Sequence, residues 1–261
     1  MLIKLKRNRT HVEDRNLALC MTTSAGLLNA MALGAFGFFP AHMSGNVSQI
    51  STDLSEMDTW HLKIFLAMIT AFVTGSILAR VSVITGIRNG LRTIFSCILL
   101  LEGGVLALTA LFEMYFFSPD NNSKIVLLLA FLMGIHNSVS TQLSNGRIRA
   151  THITGTLTDA GVSISSVFAA LLRRDPSKDI RAFKQQLNTH LITIFSFLCG
   201  GISGLLFFRA LGFSALLGPG LILIVVAATS VIFTRYKVRK RTRVDNRIML
   251  KRQPVSKRSV M

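Results

Sequence analysis

Six apolar stretches, each long enough to cross a bilayer, constrain this chain more than any other feature. They run over 17–39, 62–84, 93–117, 124–144, 189–211 and 213–234. About 18 apolar residues with few charges suffice for a transmembrane helix. Backbone in lipid has to satisfy its own hydrogen bonds, so the spans are helical. The expected fold class is therefore all-α: a polytopic membrane helix bundle with six transmembrane helices. The connections leave no room for a soluble domain. The expected organisation is a basic N-terminal tail over 1–16, a three-helix membrane repeat over 17–117, a second over 124–234 and a basic C-terminal tail over 235–261.

Charge placement then threads the spans. The net charge is +17 on a chain only 16% charged, where a soluble domain carries about 25%. Lys4, Lys6, Arg7, Arg9 and Arg15 precede or open the first span. Arg80, Arg88 and Arg92 gather after the second. Arg147, Arg149, Arg173, Arg174, Lys178, Arg181 and Lys184 lie between the fourth and fifth, and eleven more stand from Arg235 onward. With both termini cytoplasmic, 26 of the 29 basic residues fall inside, as the positive-inside rule requires, and only Lys63, Lys124 and Arg209 fall outside. The first apolar segment, at about 23 residues, exceeds a signal-peptide core and is expected to be a retained span. The basic tails are expected to contact anionic lipid of the bilayer, at about 1 kcal/mol per residue, and no nucleic acid. Apolar content excludes a disordered chain. Three cysteines in apolar runs (Cys20, Cys97, Cys199) exclude a disulfide-stapled module.

Two segments are neither clear spans nor ordinary loops. They are 40–58 and 145–172, rich in Gly and hydroxyl side chains. Such backbone reaches membrane depth only when buried in protein or lining a cavity, so both are expected to be reentrant or broken-helix segments.

The two halves share a pattern. Gly26-Leu27-Leu28-Asn29 matches Gly134-Ile135-His136-Asn137, and His42-Met43-Ser44-Gly45-Asn46 matches His152-Ile153-Thr154-Gly155-Thr156. His61-Leu62 then matches His190-Leu191, with Gly75 and Arg80 following as Gly204 and Arg209 do. Three spans per half give the halves opposite orientation. That is an inverted 3+3 repeat, as in many secondary transporters.

These paired motifs resemble the YoaK family of bacterial inner-membrane proteins, a domain-of-unknown-function family. The resemblance covers roughly 17–234. It implies about six helices and an inner-membrane location, and names no substrate. The chain departs from that family's pattern at Asn29, where Asp is commoner, and at Ser44, where Thr is.

Residues of the repeated motifs form the candidate solute site: Asn29, His42, Ser44, Gly45, Asn46, Asn137, His152, Thr154, Gly155 and Thr156. Gly between hydroxyl and amide residues can break a helix and free N–H groups for an anion or carbonyls for a cation. The competing role is close helix packing. Glu102, a carboxylate well inside a span, is a candidate for ion coupling or for an internal salt bridge with Arg80 or Arg209. Asp159 lines the same cavity or caps a helix. Gly218-Pro219-Gly220 is expected to kink the sixth helix. No cofactor or metal is expected, since no clustered Cys/His spacing occurs. No nucleotide-binding or Gly-x-Ser-x-Gly motif occurs either, so no enzyme activity is expected. The expected activity is secondary transport or facilitated passage of a small solute. The alternative is a noncatalytic assembly or regulatory protein whose repeated motifs serve packing.

Overall fold

In a computed structural model the described residues are 11–91, 93–172 and 179–252. They form eight α-helices: α1 (His11–Phe36), α2 (Met43–Ser55), α3 (Thr59–Arg88), α4 (Ile94–Phe116), α5 (Asn122–Ser144), α6 (Ile153–Leu172), α7 (Asp179–Leu211) and α8 (Leu217–Arg252). Short 3-10 turns precede α5 and α8. Of the basic residues used for orientation, those over 1–10 and 253–261 and Arg92, Arg173, Arg174 and Lys178 lie outside the described residues.

Among the described residues six segments are long and apolar enough to cross a membrane: Arg15–Phe36, Thr59–Arg88, Ile94–Phe116, Pro119–Ser144, Ile153–Leu172 and Ile180–Ile232. The last contains α7 and the first part of α8. The chain is a membrane-spanning helical protein. Exposed Val73, Ile77, Val81 and Ile84 of α3 give that helix a broad apolar outer face, as lipid contact requires.

The two unusual segments resolve differently. Segment 40–58 becomes α2, whose 13 residues cover about 20 Å, too short for a hydrocarbon core of about 30 Å. Segment 145–172 yields α6, one unbroken helix of 20 residues, so the expected break is absent there. The hydroxyls that suggested a break satisfy themselves within the helix. Thr156, Thr158 and Ser166 donate to the carbonyls of His152, Thr154 and Val162, four residues back.

Pairwise packing is reciprocal between the halves. α1 lies chiefly on α7 and α3 on α5, while α2 contacts α3 as α6 contacts α7. Glycines set the close crossings. A methyl group on Gly26 would overlap the Phe197 carbonyl, and one on Gly134 the Phe72 carbonyl. Likewise Gly75 meets the Phe131 carbonyl and Gly200 the Thr23 carbonyl. Small residues let helix backbones approach in this way. These contacts correct one pairing of the sequence pattern. Phe131 corresponds to Thr23 when Gly134 is laid on Gly26, so the partner of Gly75 is Gly200. Gly204, one helical turn later, packs on Leu27 instead.

α4 crosses α8 where Gly103 and Gly220 each approach the other's carbonyl. The expected kink at Pro219 is not formed. Pro219 falls in the first turn of α8, after the 3-10 turn Gly212–Leu216. There its missing N–H interrupts no helical bond.

Candidate functional site

Each half positions a helix start, that of α2 or of α6, by the same means. Asn29, buried in α1, accepts a hydrogen bond from the Ala41 N–H at 3.0 Å. Asn137 of α5 accepts one from the Thr151 N–H at 3.4 Å. The carboxamides thereby pin the chain just ahead of α2 and α6. His42 precedes α2 in non-helical conformation (φ −90°, ψ 62°) and its side chain does not cap it. Its ring instead lies over Gly45, and the His152 ring lies over Gly155. A β-carbon on either glycine would strike the imidazole. The recurring His-x-x-Gly spacing is thus a ring seated on a bare first turn.

A cavity of about 680 Å³ opens between these two helix starts. Asn29, His42 and Ser44 line it from the first half, and Asn137, His152 and Thr154 from the second. Phe39, Phe72 and Phe197 supply apolar wall, and Arg149 supplies a cation. Two helix N-termini, each with the positive end of its dipole, join that cation. The arrangement can hold a small anion with an apolar body. The other four candidates stand back from this space. Gly155 underlies the His152 ring, and Thr156 donates to the His152 carbonyl. Gly45 and Asn46 border a second cavity of about 520 Å³. It is lined by Asp53, Glu56, Asp58 and His61 as well, and shares His42 with the first.

Asp58 caps α3. Its Oδ1 accepts from the Trp60 and His61 N–H groups at 3.1 Å each, and Oδ2 meets His61 Nδ1 at 2.7 Å. The hydrogen bonds from His61 hold its pKa below the ordinary carboxylate value.

Glu102 takes a partner that the sequence pattern did not suggest. It lies fully buried in α4 and bonds His136 Nδ1 of α5 at 2.7 Å; the other ring nitrogen donates to the Met21 carbonyl of α1 at 2.9 Å. Three helices are tied by one imidazole. The proton between Nδ1 and Oε1 belongs to one or the other, so the pair is neutral overall either way. Neither arginine expected for Glu102 reaches it. Arg80 donates to Gln142 Oε1 at 2.9 Å, and Arg209 is exposed in the last turn of α7. Asp159 is exposed on α6 and acts electrostatically on His190 of α7. Neither Glu102 nor Asp159 lines the central cavity.

Sequence reasoning passed over His136, Arg149, Asp53 and Glu113. His136 sits inside the repeated motif itself, and a buried-span histidine opposite a buried-span glutamate was the available signal. In the sequence Arg149 stands only as one of many inner-side charges. Glu113, near the end of α4, is buried with no hydrogen bond to either carboxyl oxygen. Among the described residues no three His, Cys, Asp or Glu gather as a metal site.

Residues 17–229 match a family described as a protein of unknown function, DUF1275. The chain belongs to the DUF1275 family. The match takes in both helix starts and all six residues of the repeated motifs that line the central cavity. No curated protein and no solved structure matches the chain.

Proposed function

We propose that this DUF1275 protein carries a small solute across the membrane, as a secondary transporter or facilitator. The site is the cavity between the first turns of α2 and α6. The supporting observation is convergence: Asn29 with Asn137, His42 with His152 and Ser44 with Thr154 meet around one space. In this reading α2 and α6 enter the bilayer without crossing it, and α1, α3 and α4 form an inverted repeat with α5, α7 and α8. The cavity lies near the midplane, and rocking of one unit on the other exposes it to each side in turn. Two dipole ends and Arg149 favour an anionic group, and the three phenylalanines favour an apolar remainder. Both termini face the cytoplasm of a bacterial cell, their basic residues resting on anionic lipid. No catalytic step is part of this reading.

The second reading draws on the glycines. Gly26, Gly75, Gly134 and Gly200 serve helix crossings, and Gly45 and Gly155 seat histidine rings. On that basis the protein is a noncatalytic assembly or regulatory component and the cavity has no ligand. Thermal unfolding of the purified protein against a panel of small carboxylates, phosphate and sulfate separates the two. A solute site gives at least one anion that stabilises the wild type and not Arg149→Ala or the Ser44→Ala/Thr154→Ala pair. Stabilisation that persists in those variants favours the packing reading.

A further inference from the structure

The second cavity is lined by a buried carboxyl group that is only half satisfied. Asp53 of α2 is only 4% exposed. Its Oδ1 accepts from Gln49 Nε2 at 3.2 Å, but Oδ2 is buried without a hydrogen-bond partner. A buried carboxylate left so is costly, and a positive charge is the ordinary remedy. Among the described residues no Lys or Arg lines this cavity. Its other titratable groups are Glu56, Asp58, His42 and His61. His61 is held by Asp58, and the His42 ring lies on Gly45.

Gln49 stands against the Asp53 carboxylate, and Asn46 borders the same cavity one helical turn before Gln49. Asn46, Gln49 and Asp53 follow at intervals of three and four residues and so share one face of α2. Asn46 is 5% exposed, and its amide nitrogen faces the Met43 sulfur at 3.9 Å, which leaves the amide oxygen to another partner. Gln49 spends its amide nitrogen on Asp53 and likewise keeps its oxygen. Asp53 is the buried carboxylate of this cavity, whereas Glu56 is exposed and Asp58 is paired with His61. Hard oxygen ligands around one buried carboxylate suit a hard cation of single charge.

We propose that the cavity between α2 and the start of α3 binds an alkali-metal cation, with Asp53 as the charged ligand and Gln49 as an amide-oxygen ligand. The inference does not rest on the transport reading, because the cation and the solute are tested on different variants. The test is thermal unfolding of the full chain in detergent, at fixed pH and ionic strength. Chlorides of sodium, potassium and lithium are compared with that of the bulky N-methylglucamine. At least one alkali ion should raise the transition saturably. Asp53→Asn should abolish the response, and Gln49→Ala should raise the half-saturating concentration about tenfold. Asp120→Asn, outside the cavity, should respond as wild type does. If Asp53→Asn is not recovered folded, Gln49→Ala decides. Equal transitions in all four salts overturn the proposal, as does an undiminished response in Gln49→Ala. So does stabilisation by acid in place of metal, which would mean that Asp53 is satisfied by a proton.

Discussion

The two halves of the molecule frame the central cavity alike and differ in what surrounds it. Asn29 and Asn137, His42 and His152, Gly45 and Gly155 do the same work in each half. Beyond them the halves part. Arg149 stands in the second half where the motif pairing places Phe39 in the first. Asp53 stands in the first where the pairing places Ser163 in the second, both buried. At the α4–α8 crossing, Glu102 precedes Gly103 while Pro219 precedes Gly220. The shared residues therefore fix the architecture, and the unshared ones carry the charge. Chemistry in this protein is to be sought where the halves disagree.

Variants of each kind sharpen that contrast. The largest effect is expected at the buried Glu102–His136 pair, which joins the halves and has no second copy in the motif pairing. His136→Leu leaves the Glu102 carboxylate alone among three helices, a loss of about 4 kcal/mol, read as a fall in the unfolding midpoint. Glu102→Leu with His136→Leu should recover most of it, because an apolar pair needs no compensation. A harmless single substitution would mean that the pair does not tie the halves together.

Next come the shared crossings. Gly26→Leu and Gly134→Leu should each cost about 3 kcal/mol or more through backbone overlap. Gly104→Leu, with open space beside it, should be close to neutral. Unequal costs at Gly26 and Gly134 would break the equivalence of the halves. At the ring seats, Gly45→Ala and Gly155→Ala should displace their imidazoles and weaken anion stabilisation about tenfold each, with lesser loss of folding. The smallest effect is at Asp58. Its depressed pKa contributes stability that is present above the ordinary carboxylate range and lost as pH falls through the folded-state value. Asp58→Asn should thus lower the unfolding midpoint slightly at neutral pH, and the gap should close on acidification.

Much of the fold is legible in the sequence because bilayer thickness imposes a length. α1, α3, α4 and α5 therefore stand out as apolar runs. α6 is less legible. Its hydroxyls read as polarity, although each can return to a carbonyl of its own helix. In the first two elements the residues matched in sequence make like contacts, Asn29 as Asn137 and Gly45 as Gly155. The third slips by a turn, because His61 opens α3 whereas His190 lies well inside α7, and the crossings depend on Gly75 and Gly200. In the candidate site, the six cavity-lining residues of the motifs recur and so are visible. Arg149, Asp53 and His136 do not recur, and repetition cannot point to them. They become apparent only when helices distant in sequence come together.

Thiol labelling in the membrane tests most directly whether the two motifs face one anion-attracting cavity. Ser44→Cys and Thr154→Cys are introduced separately after Cys20, Cys97 and Cys199 are replaced. Each is then treated with negatively and positively charged methanethiosulfonate reagents of similar size. The expected result is that both positions react, that both favour the negative reagent, and that Arg149→Ala removes the preference at both. Protection of either position, or a preference for the positive reagent at both, would contradict it.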